Sequence, residues 1–284
     1  MKIVKLMAAT GLALVSFGAM AAYTPGAGIT GTPHDWSATS GQSLLQWVDS
    51  KGATTTYNTG TAYIDPATGK QGVVKVQFGL CTKCHTPHQA KSTNLLWNHT
   101  LTTSNYSWDQ PATTAGTEYP TFKGDTYKGP TTKSLSCHDG SLASTDGVWF
   151  NRQSVSGSKY VAAPGTLNSG HEVAEADGNM SGSHPVAMPY PLNGAPNIYN
   201  GKTTGSSIAF AEFEQDPTAK GIRLFNDDGA GNITAGKVVG KTGMECTSCH
   251  DVHNGAAVKD QLLLRGKLAG GKSDGYICTN CHNK

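Results

Sequence analysis

Charge is scarce in this chain. Asp, Glu, Lys and Arg make up 15% of its 284 residues and nearly cancel, leaving a formal +2. That balance lacks the basic footprint on which nucleic-acid binding depends. Aromatic residues are few, at 8%, and all apolar types together reach only 37%. Long amphipathic patterns are missing. A chain this polar has little apolar surface to set against the entropy of folding. Either part of it stays unfolded, or an apolar group from outside fills the core. The single long apolar run lies at the N-terminus and is too short to span a membrane comfortably. It follows a basic "MKIVK" and ends in "AMA" at Ala19–Ala21, the layout of a secretory signal peptide. Residues 1–21 are therefore expected to be removed, leaving a mature chain that starts at Ala22 or Tyr23. No cysteine follows that cleavage site directly, so neither a lipid anchor nor a membrane span is expected. The mature residues 22–284 are read as one exported domain.

What the chain does have is a repeated five-residue pattern. "CTKCH" runs from Cys81 to His85, "CTSCH" from Cys246 to His250 and "CTNCH" from Cys278 to His282. Two thiols one helical turn apart reach the two vinyl groups of a haem and form thioethers. The adjacent His then lies under the iron as its proximal ligand. Cys81, Cys84, Cys246, Cys249, Cys278 and Cys281 are thus expected to bind haem c, with His85, His250 and His282 on iron. A zinc ribbon fits poorly, because 28 residues separate Cys249 from Cys278 and zinc does not call for His after every second Cys. A redox-active CxxC lacks its βαβ context. The seventh cysteine, Cys137, lies in "SLSCH", where Ser134 stands in place of the first thiol.

All ten histidines lie in the mature part. If "SLSCH" binds haem, His138 is its proximal ligand. Six remain: His34, His88, His99, His171, His184 and His253. That is enough for a second axial ligand on every iron, which favours electron transfer over catalysis at an open position. His88 and His253 each follow a proximal His by three residues and are placed to reach a second haem packed against the first. His184 precedes a proline in an extended segment that can drop onto an iron. Read from the residues alone, His34, His99 and His171 suit structural or surface roles better than ligation, His99 by the narrowest margin.

The motifs form a crude repeat. "CTKCHTPH" is followed by "SLSCH", and "CTSCHDVH" by "CTNCH", dividing the domain at about 190 into two pairs (22–190 and 191–284). "SLSCH" fills the slot of an intact motif, so the repeat predicts a haem there. "GQSLLQWVDSKG" reads as a short helix between Gly41 and Gly52. "GVVKVQFGL" reads as a strand entering the first motif, and a short helix is expected at each motif. Tracts 101–132, 151–182 and 193–207 read as loops. The expected fold is mostly irregular, with short helices and few strands, organised around a stacked haem chain that supplies the apolar core.

"CTKCHTPHQA", "LLWNH", "LSCHDG", "SHPV", "GMECTSCHDVHNG" and "ICTNCHNK" together resemble exported tetrahaem c-type cytochromes with doubled CxxCH motifs, in particular outer-surface members that polymerise into extracellular filaments. The resemblance implies four bis-His haems stacked in a chain, with His85, His138, His250 and His282 proximal and His88, His184 and His253 distal. It also implies that His34 ligates a haem of a neighbouring subunit in a homopolymer. Its partners would be other redox proteins or extracellular electron acceptors, and its place the cell surface or beyond, with no bond chemistry on a substrate. Ser134 departs from the pattern. A hydroxyl cannot replace the thiol, so the haem there would hang on one thioether to Cys137. A monomeric periplasmic carrier, or a multihaem reductase with an open iron, are the alternatives.

Overall fold

The computed structural model describes residues 23–35, 44–48, 54–58, 63–64, 71–72, 80–81, 84–85, 94–97, 101–108, 119, 121–124, 126–139, 159–162, 173, 178–205, 209–268 and 275–283. Among these residues, regular structure consists of three short α-helices, a few 3-10 turns and five small antiparallel sheets. The helices are α1 (Thr131–His138), α2 (Cys246–Cys249) and α3 (Tyr276–Cys281), each carrying one of the attachment sequences.

A four-stranded sheet positions two of the site segments. Its order is Ile233–Ala235, Phe225–Asp227, Thr242–Met244 and Met188–Pro189. The first two strands are joined by "DGAGN", where Asp228 Oδ1 accepts from the N–H groups of Ala230 and Asn232. This is the Asx-turn chemistry that short polar side chains offer. Thr242–Met244 runs straight into Glu245 and α2, and Met188–Pro189 follows closely on His184. Within this sheet Gly243 is required by close approach: a Cβ there would lie 2.2 Å from Cγ of Tyr199.

Among the described residues the apolar side chains form three small clusters, two of which include residues of the Cys-His segments. Tyr106, Trp108, Phe122, Tyr127 and Met180 surround Leu135 of α1 and touch Cys246. Tyr190, Leu192, Ile222, Leu224 and Met244 pack against Cys249, Ile277 and Cys281 of α2 and α3. Tyr23, Val258 and Leu263 form the third. With so little apolar burial per cluster, hydrophobic stabilisation from the protein alone is modest.

Two expectations need correction. Leu44–Val48 is not helical. It is the central strand of a three-stranded sheet, paired with Thr54–Asn58 on one side and Lys159–Ala162 on the other. Five apolar-rich residues suit either element, and the Thr-rich segment that follows offers them an antiparallel partner. The three loop tracts also contain short pairs, among them Asn105–Tyr106 with Phe122–Lys123 and Ile198–Tyr199 with Lys202–Thr203. The strand expected over 72–80 falls mostly outside the described residues. Only its start, Gln71–Gly72, is seen, paired with Tyr63–Ile64.

Candidate functional site

The three intact motifs share one backbone arrangement. The N–H of His85 donates to the carbonyl of Cys81 at 2.8 Å, that of His250 to Cys246 at 3.0 Å, and that of His282 to Cys278 at 2.8 Å. His250 and His282 leave their helices in extended conformation as C-caps. Both thiols of each motif therefore lie on one turn, with the imidazole turned out at its end. Glu245 caps α2, exchanging bonds with Ser248 in a capping box.

The altered sequence forms the same element. α1 spans Ser134, Cys137 and His138, so Ser134 occupies the helical position that a first Cys would take. The difference is that the helix continues through His138 and is capped at Asp139, whose N–H donates to the carbonyl of Leu135 at 3.0 Å. Asp139 is buried and accepts from the hydroxyls of Thr102 at 2.9 Å and Tyr106 at 2.5 Å. This clamp fixes the end of α1 beside His138.

The histidines come together in pairs. His85 faces His253 with ring centroids 6.3 Å apart, His34 faces His138 at 6.0 Å, and His184 faces His282 at 6.4 Å. A metal–imidazole bond is about 2.0 Å and the nitrogen lies roughly 1.1 Å from its ring centroid, so two imidazoles opposed on one ion have centroids roughly 6.3 Å apart. All three pairs fall close to that value. Each joins one His from an attachment sequence to one from elsewhere in the chain.

Neighbouring groups fix which nitrogen each ring presents. Nδ1 of His85 lies 2.7 Å from the carbonyl of Leu95, that of His250 3.1 Å from Leu262, and that of His184 2.9 Å from Pro185. A carbonyl only accepts, so Nδ1 carries the proton and Nε2 keeps its lone pair for a ligand. The first two cases are a structural repeat. His85 bridges to Trp97 and His250 to Leu264, each in antiparallel fashion. The residue before each bridge, Leu96 or Leu263, has a positive φ of 52° or 60°. Such conformations are costly for a branched side chain and concentrate at functional sites. The doubled Leu in "NLLW" and "QLLLR" was the available sequence signal.

Arg265 was not legible in the sequence. Its side chain is almost fully buried. Nε donates to the carbonyls of Thr247 at 3.0 Å and His250 at 3.2 Å, and its backbone N–H to that of Cys249 at 2.7 Å. Its Nη2 lies 3.2 Å from Asp251 Oδ2. One side chain thus grips the carbonyl end of α2 together with the turn that carries His253.

His34 arrives on the N-terminal segment, which docks on the residues after His253. Asn254 organises this contact. Its side chain accepts from Gly26 N–H at 2.8 Å and donates to the carbonyls of Thr24 at 2.9 Å and Gly28 at 2.6 Å. Tyr23 pairs with Gln261 in both directions. Nδ1 of His34 is buried with no hydrogen-bond partner. Burial first, then the nearby His138, His250 and His253, push its pKa down to about 4. The ring is therefore neutral, the form that binds metal. The resemblance assigned His34 to a neighbouring subunit; here it faces His138 of its own chain.

Burial also holds the thiols protonated, pushing Cys246 and Cys281 up to about 12 and Cys249 up to about 11. Cys81 and Cys278 are exposed, and Cys84 and Cys137 partly so. Among the described residues no three His, Cys, Asp or Glu side chains converge on one point. The donor set is one of thiols on helical turns and paired imidazoles, which fits haem c. His88, His99 and His171 lie outside the described residues.

Residues 239–284 match the family described as the doubled CXXCH motif. The match supports a multihaem c-type cytochrome. The matched segment contains Cys246–His250 and Cys278–His282, and with them Arg265 and the His253 turn. The match indicates covalent haem c binding and electron transfer. No curated protein matches the chain.

Proposed function

We propose that this chain is a tetrahaem electron-transfer protein in which every iron is held between two histidines. The observation that carries the reading is the set of three His–His pairs at 6.0, 6.3 and 6.4 Å. His138 with His34, His85 with His253, and His282 with His184 serve three irons. The fourth is assigned to His250 and His88 on the repeat: His253, three residues after His250, faces His85, so His88, three residues after His85, is the reciprocal partner of His250. Bound haem supplies reversible one-electron chemistry at iron. The protein's part is to supply two imidazoles to each iron and to tether each porphyrin through cysteine. Two histidines per iron leave no position for a substrate, which supports electron transfer over reduction of a bound molecule.

Cys137 is assigned a single thioether, since α1 has the helical form of an attachment site with Ser134 in the first position. The signal-peptide pattern and the resemblance to filament-forming cytochromes extend the reading to an exported protein that assembles outside the cell. With His34 facing His138 of its own chain, such a polymer would join its subunits through other surfaces.

The test is the ferric protein's electron paramagnetic resonance spectrum together with its intact mass under denaturing conditions. Four covalent haems, all low-spin, are expected. A high-spin signal in the untouched protein, or three haems by mass, overturns the assignment.

A further inference from the structure

Glu245 is the most deeply buried carboxylate among the described residues, with no exposed surface. Its place is unusual. It caps α2 beside Cys246, and it also receives the first residue of α1. Its Oε2 accepts from the Thr131 N–H at 3.0 Å. Its Oε1 accepts from the hydroxyl of Tyr199 at 2.5 Å and from that of Tyr127. Thr131 returns the link, its Oγ1 accepting from Cys246 N–H at 3.1 Å and lying 3.6 Å from Cys246 Sγ. One carboxylate therefore joins the helices that carry the Cys137–His138 and Cys246–His250 sites.

Four donors converge on this group, the fourth being the Ser248 N–H of the capping box, and no cation among the described residues is bonded to it. Its charge is held by the N-termini of α1 and α2 and by two phenols. Burial pushes its pKa above the ordinary carboxylate range, and the donors Thr131, Tyr127 and Tyr199 pull it back. Both tyrosines are driven far above the usual phenol value, chiefly by burial, so they remain proton donors. The other titratable groups facing this point are few. Lys133 of α1 is half-buried with its pKa lowered by burial. Asp227 lies beyond Tyr199, its oxygens accepting from the N–H groups of Asn200 and Gly229. Cys246 becomes a thioether. Tyr127, together with Phe122, Lys128, Ile198, Ile233 and Lys241, lines an open cleft of about 740 Å³, so a residue that donates to Glu245 borders a solvent-facing surface.

We propose that Glu245 is a redox-linked proton site, taking up one proton from the Tyr127 cleft when an electron is accepted at the neighbouring pair of haem sites and releasing it when the electron leaves. This rests on the haem reading above. The balance is one electron from an external donor to iron and one proton from solvent to carboxylate. The proton enters at the Tyr127 oxygen while the hydroxyl passes its own proton to Oε1, converting carboxylate to carboxylic acid. The driving force is electrostatic. An added electron beside a buried carboxylate in a low-dielectric region is repelled by it, and protonation removes that repulsion. The sign follows: the midpoint potential of the affected haems falls as pH rises, within the window set by Glu245 in the two redox states.

The experiment is spectroelectrochemical titration of the full haem-loaded protein from pH 5 to 9, with Glu245→Gln and Tyr127→Phe/Tyr199→Phe alongside. The expected result is a pH-dependent midpoint in the native protein that flattens in Glu245→Gln. In the double tyrosine variant the dependence moves to higher pH, because two donors to the carboxylate are gone. An unchanged pH dependence in Glu245→Gln overturns the proposal. Should that variant fail to fold, the reduced-minus-oxidised infrared spectrum of the native protein decides. A carboxylic-acid band that appears on reduction and shifts with ¹³C-glutamate supports the site, and its absence overturns it. Haem content by mass separates the two readings: a protein without covalent haem refutes the haem assignment, whereas a fully loaded protein lacking the effect refutes only this proton site.

Discussion

His85 and His253 lie with their ring planes 18° apart and their centroids 6.3 Å apart, although one ends the first attachment motif and the other follows the next intact one. The pair is one of several contacts that join the two halves of the chain. Asp251 Oδ1 lies 3.7 Å from Nδ1 of His253, orienting that ring from behind. Replacing His253 by Ala removes the second axial ligand of one iron only. About one quarter of the low-spin ferric signal is expected to become high-spin, with covalent haem content unchanged. Loss of signal spread evenly over all four haems would contradict a one-to-one pairing.

The His34–His138 pair lies within one chain, so His34→Ala should act on dilute, monomeric protein. One haem is expected to turn high-spin and to bind added cyanide or imidazole, whether or not the protein assembles. The measurement is the ferric spectrum before and after size-exclusion chromatography. If monomers of the native protein already show that high-spin haem, and only assembly removes it, then His34 serves a neighbouring subunit.

Ser134→Cys restores the two-thiol pattern on a helix already formed. A second thioether is expected at this site. The pyridine haemochrome band, displaced in the native protein by one unreacted vinyl, should move to coincide with that of the other haems. Cys137→Ala makes the complementary case, lowering the denatured mass by one haem.

Arg265→Ala strips the grip on the carbonyls of Thr247 and His250 and leaves Asp251 buried without its cation. Removing one partner of a buried ion pair costs about 3 kcal/mol. Denaturant unfolding of the loaded protein should show that loss, and Arg265→Lys should recover only part of it because an ammonium cannot reproduce the fork. A change below about 0.5 kcal/mol would mean the Arg265 contacts contribute nothing net.

The attachment chemistry was legible in the sequence because it is local. Two thiols and an imidazole need only one helical turn, so five residues specify them, and Ser134 stood out against three intact copies. The short helices at Cys137, Cys246 and Cys278 followed for the same reason. Leu44–Val48 was misread because a five-residue apolar run carries no period of its own and takes its form from the strands beside it.

The second ligand of each iron was another matter. From the residues alone His34 read as structural or surface, and only the resemblance made it a ligand; the fold places it through Asn254 and Tyr23, which hold its segment against the residues after His253. No sequence pattern marked Arg265 or Glu245, which the fold buries against α2. What the sequence determined by itself was the spacing of thiol and imidazole in each motif, since these are near neighbours in the chain. Which histidines come together in pairs, and which buried charge lies between two motifs, was decided by tertiary structure, because those contacts join residues far apart in sequence and exist only once the chain has packed.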